Sequence, residues 1–423
     1  MISRAITGVL MTGFVLVVPA LAEDWPQWRG PERDGVSKEI GLLQEWPKEG
    51  PQLLWARKDI GGGYSTPAVV GDRIYVMVDR KGEEFAIALS AKDGAEAWAA
   101  RIGKVGPNQG PQYPGARSTP TIDGEHIYVL GSDGDLVCLE KNSGKAVWAK
   151  SLRKEFGGVP GAWAYAESVL IDGENLVCTP GGKQATLVSL KKSDGETIWK
   201  CTVPEGDAAG YSSAIVATVG GVRQYVQFMA NGVVGVDAKT GKFLWRYTKT
   251  KDPAANIPTP VFHGDSVFTS TSRNGSGLNR IMVSNGAVST EQVYYNRTAL
   301  NGTGGIVLVD GYLYGTDARG QLICMEFKTG KLKWHNTSVG SAALTYADGM
   351  LYVRGQGGTG FGPEKPSLVA LVQATPEHYT EKGRFKQPGH GNRPAWPHPV
   401  VANGCLYLRD GSELFCYDVK AKK

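Results

Sequence analysis

The stretch that decides the architecture is 118–152, STPTIDGEHIYVLGSDGDLVCLEKNSGKAVWAKSL. Apolar and polar residues alternate through Ile122, Ile127, Tyr128 and Val129. Gly-containing turns at Asp123-Gly124, Ser132-Asp133-Gly134 and Ser143-Gly144 interrupt the alternation. Period-2 patterning broken by such turns predicts four short antiparallel strands, labelled a to d. A single four-stranded sheet has two apolar faces and two raw edges, so it must stack against copies of itself.

The copies are present. Similar text is expected to open strand a near Ser65, Ser118, Glu167, Ser212, Pro258, Gly304, Ala343 and Pro397, at spacings of 39 to 54 residues. That period with four strands per unit predicts a β-propeller. A sharper ruler lies inside it: five times a small residue is followed by Gly at +6 and Trp at +10. The triples are Ala88, Gly94, Trp98; Cys138, Gly144, Trp148; Ser189, Gly195, Trp199; Gly235, Gly241, Trp245; and Cys324, Gly330, Trp334. The Gly makes a tight c–d turn, Trp heads strand d, and the small residue on strand c is expected to supply the surface without bulk that the ring needs.

Two units lack this Trp, around 282–295 and 370–386, and are expected to be held by Tyr294 and Tyr295 and by Tyr379 and Phe385. The last repeat stops after strand c, near Tyr417, whereas PQLLWARKDIG at 51–61 reads as an orphan strand d carrying Trp55. Pairing the two closes the ring and hides both edges. The expectation is an all-β, eight-bladed propeller of four-stranded antiparallel blades, closed by an N-terminal strand. Seven blades is the alternative if one degenerate unit forms no sheet.

The eleven-residue spacing resembles the tryptophan-docking repeat of the PQQ-type propellers, the family that includes the quinoprotein alcohol dehydrogenases. It also resembles the propeller of the outer-membrane assembly machinery, which carries no cofactor. The segment EDWPQWRGPERDG at 23–35 resembles the N-terminus of exported PQQ-like repeat proteins of planctomycete-type bacteria. The resemblance implies the fold, and its members include proteins that bind no quinone.

Residues 1–22 carry one charge, Arg4, then an apolar run ending Ala20-Leu21-Ala22, which reads as a secretory signal peptide. The run is shorter than the ~20 apolar residues of a membrane span. A single propeller domain is expected over 23–423, exported to the periplasm or secreted, soluble and monomeric. The whole chain carries 46 basic and 41 acidic residues, a near-neutral balance that offers no case for a nucleic-acid partner. The Trp25 and Trp28 rings of the N-terminal segment are expected to pack over the outside of the body, with ligand contact as the alternative.

Six Cys in an exported chain invite disulfides, but Cys138, Cys324 and Cys416 occupy the same small position in different blades, too far apart to bridge. No disulfide is expected. Neither Cys nor His shows metal-ligand spacing, so no metal site is expected. GQGGTG at 355–360 matches the dinucleotide fingerprint in letters, but a strand follows it where the mechanism requires a helix N-terminus.

The a–b and c–d turns are short, and the insertions fall in d–a and b–c connections, which share one face of a meander. Binding is usually built on such loops. The candidate ligand contacts are Tyr64, Arg117, Trp163, Tyr165, Tyr211, Trp396 and His398 from d–a connections, and Arg273, Asp317 and Arg354 from b–c connections. Arg beside aromatic rings can grip carboxylates, phosphates, sugar rings or a peptide. Alternatively these residues line and cap a wet central channel. No catalytic set can be assigned.

Three functions remain. The first is a non-catalytic binding or scaffolding module without cofactor, for a cell-envelope protein, polar small molecule or carbohydrate. The second, implied by the resemblance, is a PQQ-dependent alcohol or sugar dehydrogenase with Ca²⁺. The vicinal Cys pair of those enzymes is absent, and no Glu/Asn/Asp set matches by position, although Trp163 and Glu167 are suggestive. The third is carbohydrate binding or processing.

Overall fold

The computed structural model describes residues 23–107, 113–297, 300, 304–358, 367–389 and 393–422. Residues 1–22, which read as a signal peptide, and the end of the GQGGTG stretch lie outside them. Among these residues are eight antiparallel sheets arranged as propeller blades. Blades 1 to 7 span 68–104, 121–151, 170–201, 215–247, 261–296, 307–336 and 342–386, and blade 8 spans 400–418. Blade 8 receives its fourth strand from Gln52–Arg57, which pairs antiparallel with Glu413–Asp418. The ring therefore closes through the N-terminal segment, as the orphan Trp55 strand implies.

In seven blades strand a pairs about three residues later than the repeat text suggests, at Thr121 and not Ser118 for instance. The preceding segment, Ser-Thr-Pro in blades 1 and 2 and ending in Pro before blades 5 and 8 as well, forms no ladder there, and in those four blades Pro has no N–H to give it. These approach segments matter for function, since they line the top of the central channel.

The small-Gly-Trp ruler has a two-part physical basis. Within a blade the small residue lies directly across from the Trp, as in Cys138↔Trp148, Ser189↔Trp199 and Cys324↔Trp334. Between blades the Trp lies on the turn glycine of the next repeat. A Cβ on Gly144 would stand 2.6 Å from Trp98, and one on Gly241 2.6 Å from Trp199. The indole N–H then donates to a backbone carbonyl of that next blade: Trp98 to Lys141, Trp148 to Lys192 and Trp199 to Ala238, at 3.0–3.1 Å. So the bare surface that receives the ring is mainly the neighbour's glycine, with the strand-c residue leaving room from below.

The degenerate blades follow the same logic. In blade 5 Tyr294 replaces the Trp, its hydroxyl donating to Phe327 O at 2.9 Å and its ring against Gly330. Tyr295 instead bonds Asn274 inside its own blade. In blade 7 Phe385 packs on Gly50 and Trp46, and Tyr379 sits beside Trp334. Trp245 faces blade 5, whose c–d turn glycine, Gly286, has no ring against it, and its N–H turns back to Gln224.

The N-terminal segment contradicts the expectation of an outer strap: it crosses the central channel. Trp25, 1% exposed, bridges to Val69 of blade 1, and Pro26 O accepts the Ile122 amide of blade 2. Arg33 donates to Ser168 O and Val169 O of blade 3. Trp28 Nε1 donates to Thr259 Oγ1 before blade 5, at 2.9 Å. Arg29 donates to Gly304 O and Ile306 O of blade 6. Val36–Ser37 finally joins strand a of blade 7 in parallel. The inner strands offer unpaired carbonyls toward the axis, and two buried guanidiniums, with five donors each, satisfy them. Burial lowers the pKa of both arginines to about 10.

All six cysteines are free thiols. Among the described residues no helix is long and apolar enough to cross a membrane.

Candidate functional site

The axial segment divides the channel into two funnels. The one on the plain face is lined by Gln27, Arg29, Glu32, Asp34 and the a–b turns near Asp172, His263 and Asp310, with mixed charge. The one on the loop-bearing face is a pocket of about 270 Å³. Trp28 contributes its floor. Its wall comes from approach segments of six blades: Thr66, Arg117, Ala166, Ser213, Ile257 and His398. Above them stand Tyr64, Tyr113, Trp163, Tyr211, Ala255 and Trp396.

Six of the ten residues expected from the sequence thus meet in one place: Tyr64, Arg117, Trp163, Tyr211, Trp396 and His398. The aromatic rings form corners. Trp396 lies 4.8 Å from Tyr64 and 4.7 Å from Tyr113, at interplanar angles of 44° and 60°. Tyr64 and Tyr113 stand at 79°, and Trp163 and Tyr211 at 58°. Trp28 and His398 are 4.5 Å apart, and the His398 amide is held by Thr66 Oγ1 at 3.0 Å.

Arg117 is the charged group of the lining. Its guanidinium lies 5.8 Å from the Tyr64 ring centroid and donates to the carbonyls of Tyr113 and Gly115. Burial holds its pKa below the usual value, the largest effect on it. Tyr211 accepts the Trp163 amide at 3.1 Å, whereas the Tyr64 hydroxyl and the Trp163 indole N–H are buried without a partner among the described residues.

Four expected residues are placed elsewhere. Tyr165 is 1% exposed in the core between blades 2 and 3, its hydroxyl donating to Pro180 O at 2.7 Å. Arg354 is fully buried; it donates to Gln387 Oε1 and Pro397 O, faces Asp410 at 3.5 Å, and so fastens blade 7 to blade 8. Arg273 is exposed with Asp252 at 3.8 Å, and Asp317 organises its own turn by accepting the Arg319 and Gln321 amides. For the three b–c residues the reason is radial. The b–c loops share the face of the d–a loops but start one strand farther out, about 4.8 Å from the inner strand.

Tyr113 escapes the sequence reading, and Trp28 enters it only as the alternative to packing outside the body. Tyr113 lies in the longest early insertion, which marks it as a loop residue but not as an inward one. Trp28 carries no local sign of reaching the axis, since its hydrogen-bond partner is 231 residues away.

A calcium-held quinone needs carboxylate and amide oxygens around the cation. The described lining holds neither, and no cluster of three His, Cys, Asp or Glu side chains suited to a metal occurs among the described residues. Glu167, behind Ala166, has its oxygens taken by Thr179 and Gln227, and burial raises its pKa to about 7. These residues do not fit such a group.

Fold and site define an eight-bladed propeller with a closed axis and an aromatic mouth. The chain belongs to the family described as outer membrane protein assembly factor BamB, which matches residues 86–336 and 297–375. It is similar to the tetrathionate hydrolase of Acidithiobacillus ferrooxidans, at 22% identity over 71% of this chain and 56% of that protein. It is also similar to BamB of Shewanella oneidensis, at 23% identity over 56% of this chain and 60% of that one. The chain thus spans under two thirds of either relative. Among solved structures it resembles BamB of Moraxella catarrhalis, with TM-score 0.59, 15% identity and coverage of 87% and 99%. The quinohemoprotein alcohol dehydrogenase of Comamonas testosteroni follows at TM-score 0.51, 12% identity and coverage of 95% and 81%. Both likenesses are likenesses of fold.

Proposed function

We propose that this protein is an exported, non-catalytic binding module that holds a ligand or an envelope partner in the aromatic pocket on its loop-bearing face. One observation carries the reading: rings and one guanidinium from separate blades converge on a single pocket whose described lining contains no carboxylate. Rigid aromatic faces beside an Arg are what recognition surfaces use. Acid–base or nucleophilic chemistry needs a paired set of groups within hydrogen-bond reach, and none can be assembled from this lining. The family membership supports a binding role, and the leader at 1–22 supports export. The reading needs no cofactor.

The test has two arms. Capture from a cell-envelope extract by the mature protein should be lost in a Trp163→Ala/Trp396→Ala variant that melts like the parent. A dye-linked alcohol and aldehyde assay with added PQQ and Ca²⁺ should show no turnover. Quinone-dependent turnover overturns the reading, as does capture indifferent to the mouth.

A further inference from the structure

The lining of the mouth carries a cation and no carboxylate, and buried Glu84, the acid that acts on Arg117, is held by Ser132 outside that lining. Arg117 makes no ion pair among the described residues, and its neighbours in the lining are aromatic, aliphatic or hydroxyl side chains. Arg393, exposed nearby, acts with Arg117 on the Tyr64 hydroxyl, whose pKa burial raises and these two cations lower more than Asp410 raises it. A cationic occupant, the usual guest of an aromatic cage, would meet this positive field at short range. An anionic one is drawn in, and a carboxylate matches the guanidinium fork.

The ring geometry narrows the class further. The interplanar angles recorded for the mouth run from 44° to 79°, so these pairs form corners and not parallel plates. Parallel plates would sandwich a flat fused aromatic. A corner receives a saturated ring, whose polarised C–H groups face the electron-rich ring surfaces from two sides. The volume, about 270 Å³, falls near the lower end of ligand pockets, with room for one ring and not an extended chain.

Resting on the reading of the mouth as a binding site, we infer that its ligand is a hexuronic acid unit, free or at the end of an acidic glycan. The carboxylate lies against Arg117, and the pyranose ring lies in the corner made by Tyr64, Tyr113 and Trp396.

The probes are glucuronate, galacturonate, digalacturonate, glucose, galactose, PQQ and benzoate, titrated into the mature protein by calorimetry and tryptophan fluorescence. The uronates should bind at least ~10-fold tighter than the neutral hexoses, the effect of one charge-assisted hydrogen bond. Arg117→Gln should abolish that preference and Arg117→Lys should keep part of it, with binding of the neutral hexoses retained in both. Digalacturonate as tight as the monomer indicates a glycan end, and a much weaker dimer indicates the free acid; either supports the inference. Equal binding of uronate and hexose overturns it. Saturable binding of PQQ or benzoate in place of the uronates also overturns it, while leaving the mouth a binding site. No saturation by any probe at roughly 10 mM, weaker than millimolar affinity, overturns it too. Mouth-dependent capture from envelope extract then decides the broader reading separately.

Discussion

The contact between Trp199 and Gly241 offers a direct test of how the blades are held together. Trp199 is 9% exposed, lies opposite Ser189, and donates its indole N–H to Ala238 O of blade 4 at 3.1 Å. Its removal deletes a large buried ring and leaves that carbonyl without its donor, so Trp199→Ala should cost ~3–5 kcal/mol. Gly241 has φ +72°, and a Cβ there would sit 2.6 Å from the ring. Gly241→Ala combines about 1–2 kcal/mol of left-handed backbone strain with about 1–3 kcal/mol of overpacking against Trp199. In a Trp199→Ala background the overpacking vanishes and the strain alone remains. The double mutant should therefore be more stable than the sum of the singles predicts, by ~1–3 kcal/mol. Urea unfolding of the four proteins, followed by far-UV circular dichroism, measures the cycle. Strict additivity, or a Trp199→Ala cost below about 1 kcal/mol, removes inter-blade docking as the rationale of the repeat.

Other consequences follow from the closure, the axial segment and the buried acids. Deleting residues 51–60 strips blade 8 of its outer strand and blade 1 of Trp55, whose N–H donates to Ala91 O at 3.0 Å; aggregation or loss of cooperative unfolding is expected, and a truncated protein as stable as the parent refutes the closure. Arg29→Met should destabilise by about 3 kcal/mol or more in urea, since the carbonyls of Gly304, Ile306 and Asp34 lose a charged donor; a neutral result would show that the axial segment is not anchored. Glu84, held by the Ser132 amide and hydroxyl, has its pKa raised by burial from 4.5 to about 7. The folded state then holds a proton the unfolded chain has lost, so its contribution to stability falls as pH rises from about 4.5 to 7. Glu84→Gln should flatten the difference in melting between pH 5 and pH 8, and an unchanged difference would sink the assignment.

The sequence by itself determined the repeat, the blade count, the docking rings and the closure. Each of these is written in local spacing: the +6 and +10 ruler recurs because every blade poses the same packing problem to its neighbour. Even the eroded units were legible, since Tyr294 and Phe385 stand where a large ring is still required. The d–a connections also announced themselves as the place for a site, and six of ten candidates converge there. Tertiary structure alone decided which loop residues face inward. Tyr165 and Tyr211 sit in comparable connections, yet one enters the core and the other the pocket, because that choice rests on the space left by neighbouring blades. Arg354 and Arg117 look alike in the chain, but one strand of radial distance makes the first a fastener and the second a mouth residue. The path of the N-terminal segment was hidden for the same reason. Trp28 and Arg29 find their partners 231 to 277 residues away, across an axis that exists only when eight blades have closed around it.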